Sequence, residues 1–165
     1  MSLKIIFMGT PEFSVPILKS LLMSDHKILS IYTQPPKKKN RGQNISKTPI
    51  HKFSIDNNIE VRYPENINSE HEINFIKKKN PDVIIVVAYG KILSAELLSL
   101  KNIKFLNIHA SLLPKWRGAA PIQRSIMNLD KETGISIMKI VPKLDEGPVM
   151  MKSKVSINKN TNAEK

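Results

Sequence analysis

The chain has 165 residues, 41% of them hydrophobic, which suits one globular domain with a buried core and excludes a disordered or fibrous polymer. It contains no cysteine, which excludes disulfides, thiolate nucleophiles and Cys-ligated zinc and fits a cytoplasmic protein. Its 26 basic against 14 acidic residues, a net charge of +12, point to an anionic partner, nucleic acid foremost, although an excess of Lys over Arg is also what A- and T-rich coding produces.

Read in chain order, KIIFM (residues 4–8) is a short apolar run of the kind that forms a buried parallel strand, followed by a turn-rich loop over 9–16. A helix is expected over 17–23 and a second strand over 28–33, completing a βαβ unit. Residues 34–47 read as a polar, basic loop, and Pro49 sits where the first turn of a helix would begin. A short strand follows at 61–63. Ser69 opens an amphipathic helix to about Lys79, whose Lys77-Lys78-Lys79 end reads as solvated helix terminus. DVIIVVA (82–88) is the strongest strand signal and is expected to be central, buried on both faces.

Beyond it, 92–98 is expected to be helical, 105–109 a strand, 119–128 a helix, 134–141 an alternating strand and 149–157 a last strand. This alternation argues for an α/β fold, a Rossmann-like open, mostly parallel sheet with helices on both faces. No internal repeat is visible. No apolar run approaches the roughly 18 to 20 residues that span a bilayer, and the opening MSLKIIFMGTPEF lacks a basic-then-apolar signal pattern. At the other end, Asn162 resembles an N-cap whose helix has barely begun, so the chain reads as a C-terminally incomplete domain.

The segment FLNIHASLLPKWRGAAP (105–121) carries the chemistry. Asn107 and His109 stand at i and i+2 in a strand and so project to one face, both able to donate hydrogen bonds to one small group. Pro114, Gly118 and Pro121 then break regular structure, and loops beyond strand ends are where open α/β sheets hold ligands. Taken alone, such a pair is more commonly a buried polar pair satisfying a turn. Asp145, in the Leu-Asp-Glu-Gly of residues 144–147, is on its own a turn residue.

The longer string NIHASLLPKWRGAAPIQ resembles the signature of the folate-dependent formyltransferases, as do FMGTPEFSVP, the TQP of residues 33–35, VVAYGKILS and TGISIMKIVPKLDEGPVM. The resemblance covers essentially the whole chain. GTPEFSVP together with RGAAPIQ is similar to the branch of the family that acts on methionyl-tRNA, and the Gly-Ser-Asn phosphate loop of the relatives that act on glycinamide ribonucleotide is absent.

The resemblance implies transfer of a formyl group from 10-formyltetrahydrofolate, as cosubstrate, to the amino group of initiator methionyl-tRNA. It implies Asn107, His109 and Asp145 as the catalytic residues, with Asn107 and His109 donating to an oxyanion and Asp145 orienting His109 or accepting the amine proton. It implies a folate site from Val87, Ala88, Tyr89, Gly90, Ile92 and Leu93, with Pro142, Lys143 and Leu144 opposite and Ser111, Leu112, Leu113 and Pro114 as its floor. Val87, Ile92 and Leu93 could instead be core. It implies a tRNA-binding loop containing Lys37, Lys38, Lys39, Arg41, Gly42 and Lys47, where KKKN and QNIS depart from the usual wording of the family. It also implies a cytoplasmic monomer, and a C-terminal β-barrel tRNA-binding domain and closing helices beyond the 165 residues.

Other chemistries fit poorly. Ser111 lacks the Gly-x-Ser-x-Gly context of a nucleophile. His26, His51, His71 and His109 are scattered, so no metal is expected. The opening lacks Gly-x-Gly-x-x-Gly, which disfavours a nicotinamide cofactor. The alternatives are another folate-dependent formyltransferase with a small amine acceptor and a non-catalytic remnant that binds nucleic acid through residues 34–47.

Overall fold

The structure, a computed structural model, describes residues 2–39 and 44–163. Two compact units divide the chain, Met1–Phe105 and Leu106–Lys165.

The first unit runs β1 (Lys4–Gly9), α1 (Ser14–Leu22), β2 (Lys27–Tyr32), β3 (Lys37–Lys39), β4 (Asn44–Ser46), α2 (Pro49–Asp56), β5 (Val61–Arg62), α3 (Glu70–Lys79), β6 (Val83–Val87) and α4 (Ala95–Leu98). Its sheet has the order β5-β2-β1-β6, all neighbours parallel. Ile5, Ile6, Phe7 and Met8 of β1 and Ile84 and Val87 of β6 are almost wholly buried, which is why both strands read as unbroken apolar runs rather than alternating ones. The β1–β6 register pairs Gly9 with Val87, so both strands end level and release their loops at the same carboxyl edge.

Capping chemistry fixes the helix starts. Thr48 accepts from the His51 N–H and Pro49 occupies the first turn of α2, while Ser69 accepts from the Glu72 N–H to open α3. Helix α1 begins earlier than its pattern suggested because Ser14 is buried and its hydroxyl donates to the Val87 carbonyl at 2.8 Å, fastening the helix to β6. The helix expected over 92–98 is shorter. Asn68 donates to the Ile92 carbonyl at 3.0 Å and accepts from the Ser94 N–H at 2.8 Å, holding 92–94 out of helical geometry until Ser94 caps α4. The basic segment read as a loop contains an antiparallel hairpin, β3 against β4, with Lys37 opposite Ser46.

The second unit takes the remainder of β7 (Lys104–His109), then α5 (Pro121–Met127), β8 (Glu132–Lys139) and β9 (Val149–Ser156), ordered β7-β8-β9. These neighbours are antiparallel, which departs from the parallel arrangement of the first unit. For β8 and β9 the reason is length: residues 140–148 are fewer than the roughly dozen a parallel crossover requires. β8 alternates in burial, as its sequence suggested, whereas every residue of β9 is exposed. Helix α5 starts at Pro121 because Ala120 is left-handed (φ 55°). No helix among the described residues is long and apolar enough to cross a membrane. Arg41 and Gly42 lie outside the described residues, as do Glu164 and Lys165, on which the helix expected after Asn162 would fall.

Candidate active site

In the second unit, β7 pairs with β8 so that Asn107 lies opposite Met138 and His109 opposite Ser136. The two polar side chains share a face, as the two-residue spacing requires, and both meet Asp145. Asn107 Nδ2 donates to Asp145 Oδ1 at 3.4 Å, and His109 Nδ1 lies 3.7 Å from Asp145 Oδ2, ion-pair distance rather than a hydrogen bond. The other ring nitrogen of His109, Nε2, is 2.9 Å from the Trp116 carbonyl oxygen. A carbonyl only accepts, so Nε2 carries hydrogen and Nδ1 is the nitrogen presented to the carboxylate.

Two loops bring these groups together. The β8–β9 connection folds so closely onto β8 that a Cβ at Gly147 would lie 1.8 Å from the Lys139 carbonyl oxygen, and the Lys139 N–H donates to the Pro148 carbonyl at 3.0 Å. Asp145 then projects from a left-handed residue, φ 49°. From the other side, Gly118, at φ +82°, donates its N–H to Asp145 Oδ2 at 2.8 Å. Arg117 and Glu146 form a 3.7 Å surface pair beside this contact, one that adds little in water.

The loop after β7 is fastened from within. Ser136 donates to the Ser111 carbonyl at 2.7 Å and accepts from the Leu113 N–H at 3.0 Å, while the buried Ser111 hydroxyl donates to the Lys115 carbonyl at 2.6 Å. Lys152 donates to the Leu113 carbonyl. Farther along, Asp130 accepts from Lys115 Nζ, from Trp116 Nε1 (both 2.7 Å) and from Asn128 Nδ2 at 2.8 Å. These donors hold its carboxyl well below the usual range, at about 2. Sequence reasoning missed Trp116, Ser136 and Asp130. Trp116 acts through a backbone carbonyl, which no side-chain pattern announces, and Asp130 in Asn-Leu-Asp-Lys looks like an ordinary turn.

In the first unit, the segment after β6 gathers the other expected residues. Val87 is buried, Ala88 is exposed and left-handed (φ 47°), and Gly90 has φ +81°. Tyr89 is buried with its hydroxyl unpartnered, and burial, followed by the charge of Glu72, pushes its phenol up. Leu93 belongs to the core, whereas Ile92 is 85% exposed, so the core explanation fits Val87 and Leu93 but not Ile92. Thr10 Oγ1 donates to the Tyr89 carbonyl at 2.8 Å, and Gln34 Nε2 donates to the carbonyls of Tyr89 and Gly90 at 3.1 and 3.2 Å. Three separated motifs, GTPEF, TQP and VVAYG, therefore meet at one loop.

In the second unit Ser111 and Leu113 are buried, Leu112 is half-buried, and Pro114, Pro142, Lys143 and Leu144 are exposed. Lys37 and Lys47 are exposed at the hairpin, with Lys38 and Lys39 completing β3. Burial and then the Lys47 charge lower the His51 pKa, and His51 stacks on Tyr63 with ring centroids 4.7 Å apart. Among the described residues, no three His, Asp or Glu side chains gather as a metal-binding group.

An amide N–H donor, an imidazole and a carboxylate converging on one face can bind a carbonyl oxygen that gains negative charge and receive a proton nearby. The formyl transferase family model matches residues 3–165. The chain is 56% identical to a methionyl-tRNA formyltransferase of Pelagibacter ubique, an alignment covering 99% of this chain and 53% of that protein. It is 46% identical to one of Sulfurihydrogenibium sp., covering 96% and 51%. The chain thus spans about half the length of the curated relatives it matches. A phosphoribosylglycinamide formyltransferase of Bacillus halodurans superimposes with a TM-score of 0.75 at 20% identity, covering 98% of this chain and 84% of that one. A formyltetrahydrofolate deformylase of Pseudomonas syringae gives 0.73 at 19%, covering 99% and 54%. At those identities the likeness establishes the fold, an open α/β sheet shared across the group.

Proposed function

We propose that this chain, which belongs to the formyl transferase family, forms the catalytic part of an enzyme that moves a formyl group from 10-formyltetrahydrofolate to the amino group of initiator methionyl-tRNA. The observation that carries the reading is the convergence of Asn107 and His109 on Asp145 at 3.4 and 3.7 Å. The identity with methionyl-tRNA formyltransferases across nearly the whole chain supports that acceptor over a small amine.

The methionyl nitrogen attacks the formyl carbon, and charge develops on the formyl oxygen. Asn107 Nδ2–H donates to that oxygen, joined by His109 through Nδ1–H once the ring carries hydrogen on both nitrogens, and one such donor is worth about 10²- to 10³-fold in rate. Because His109 Nε2 is committed to the Trp116 carbonyl, the ring cannot turn away from the site without losing that bond. Asp145 accepts the proton released by the amine, directly or through water, as the carbon–nitrogen bond to the folate breaks. The proton ends on the departing folate nitrogen, giving formylmethionyl-tRNA and tetrahydrofolate. The tied loop 88–93, with exposed Ile92, and separately the exposed Leu144 offer apolar surface to the folate. The hairpin lysines, Lys37, Lys38, Lys39 and Lys47, offer positive charge to tRNA phosphates.

The test is formylation of methionyl-tRNA by this chain, alone and joined to the C-terminal half of the Pelagibacter relative. The proposal expects folate-dependent formylmethionyl-tRNA that excess free methionine ester does not compete away. Formylation of the small ester in preference to tRNA would point to the small-amine alternative, and folate-independent tRNA binding with no transfer would point to the non-catalytic one.

A further inference from the structure

We infer that Asp130 is a positioning residue for the reaction, holding the catalytic histidine through the loop that carries Trp116. The assignment rests on the reading of His109 as a donor to the formyl oxygen. Asp130 follows α5, and among the described residues its carboxylate hydrogen-bonds to none of Asn107, His109 and Asp145. Its two carboxylate oxygens instead take three donors: Oδ1 receives Lys115 Nζ at 2.7 Å and Asn128 Nδ2 at 2.8 Å, and Oδ2 receives the indole Nε1–H of Trp116 at 2.7 Å. The Lys115 ammonium also lies 5.7 Å from the Trp116 ring centroid, so two consecutive loop residues are bound to one carboxylate and to each other.

This grip matters because Trp116 sits in a left-handed conformation, φ 58°, which a bulky residue adopts only where its surroundings hold it. In that conformation its carbonyl meets His109 Nε2 at 2.9 Å. The indole–carboxylate bond on one side of Trp116 thus sets the carbonyl on the other, and that carbonyl sets which nitrogen of His109 carries hydrogen and which faces Asp145. The next residues add a second consequence. Gly118, two positions on, donates to Asp145 Oδ2, so a loop released from Asp130 would loosen both partners of the 3.7 Å His109–Asp145 approach. The side chain of Asp130 is 6% exposed, covered by the groups that donate to it.

The experiment uses the chain with its four histidines labelled with 15N, compared with Asp130→Ala, Asp130→Asn and Trp116→Phe. In the parent, His109 should be the Nε2–H tautomer with a slowly exchanging ring N–H. Asp130→Ala should mix the tautomers and speed that exchange by about tenfold or more, because the bond to Trp116 opens locally. Asp130→Asn, which keeps an acceptor oxygen for the indole, should restore most of the parental signal. In the joined, tRNA-formylating protein, Asp130→Ala should lower kcat by roughly 10-fold to 10²-fold with KM for the folate nearly unchanged, as misplacement without weakened binding predicts. Should Asp130→Ala fail to fold, Trp116→Phe decides, since it removes only the indole bond and is expected to shift His109 in the same direction. A His109 tautomer and exchange rate identical to the parent in folded Asp130→Ala, or in Trp116→Phe, would overturn the inference. The spectroscopic result stands whether or not formyl transfer is detected, so a failure of the proposed reaction remains distinguishable from a failure of this assignment.

Discussion

Asp145 accepts the backbone N–H of Gly118 at 2.8 Å, and the oxygen that does so, Oδ2, is also the one nearest His109. A single carboxylate therefore both closes the loop beyond β7 onto the loop beyond β8 and faces the histidine. This double use makes the consequences of changing it separable.

Asp145→Asn keeps an acceptor oxygen for Gly118 but removes the charge and the proton-accepting capacity. Formyl transfer should fall by about 10²- to 10⁴-fold, while the folate dissociation constant changes little. Stopped-flow binding alongside steady-state turnover separates these. Parental turnover would return Asp145 to an ordinary turn residue, and a defect confined to folate affinity would make it a binding group.

Gly147→Ala should be costly although the residue has no part in binding substrate. The added Cβ would fall 1.8 Å from the Lys139 carbonyl, a backbone atom that cannot swing aside, so the Asp145 loop must lift from β8. A loss of about 1–3 kcal/mol in urea unfolding is expected, together with reduced activity. At Gly118 the nearest atom to a Cβ is 3.8 Å away, so Gly118→Ala meets only the strain of its φ of +82°. The same unfolding measurement should therefore rank Gly147→Ala as the more damaging of the two.

The sequence patterns that proved legible were those fixed by local periodicity. The unbroken apolar runs of β1 and β6 announced strands buried on both faces, and the two-residue spacing of Asn107 and His109 announced a shared face. What escaped depends on tertiary hydrogen bonds. The early start of α1 follows from Ser14 reaching Val87, and the late start of α4 from Asn68 reaching across to Ile92 and Ser94. The hairpin of β3 and β4 carries no apolar alternation to mark it. The antiparallel turn of the second unit depends on connection length more than on strand composition. In the site, the grouping of Asn107, His109 and Asp145 was readable through the family motif, whereas the carbonyl of Trp116 and its hydrogen-bonded support from Asp130 depend on how the loop backbone is placed.

Replacing Lys37, Lys38, Lys39 and Lys47 by Ala should weaken tRNA binding and flatten its salt dependence. Every phosphate that a lysine neutralises adds roughly 0.9 to the logarithmic salt slope on duplex and about 0.7 on single strands, and the substitutions take that increment away. Filter binding across salt concentrations measures the slope, and folate binding serves as the control. An unchanged slope would mean that the hairpin is only a solvated lysine-rich surface.

The hydrogen bonds to Asp130 also predict a pH dependence. Lys115, Asn128 and Trp116, donating to its carboxyl, depress it from 3.8 to about 2. A depressed carboxyl contributes stability that is fully present above its unfolded value, and that contribution declines as pH falls from about 3.8 towards 2. Trp116 is the only tryptophan of the chain, so its emission reports the contact directly. The emission of Trp116 should hold steady from neutral pH down to about 4 and change below it, with the change blunted in Asp130→Asn. An identical profile in the variant would remove Asp130 as its source.

The most direct measurement is formyl transfer from 10-formyltetrahydrofolate to methionyl-tRNA in single turnover, comparing the parent with Asn107→Ala and His109→Ala in the joined protein. Each substitution removes one donor to the developing oxyanion and should slow the chemical step by roughly 10²-fold or more, with folding and folate binding close to parental. Near-parental single-turnover rates in both variants would contradict the assignment of the reaction to this cluster.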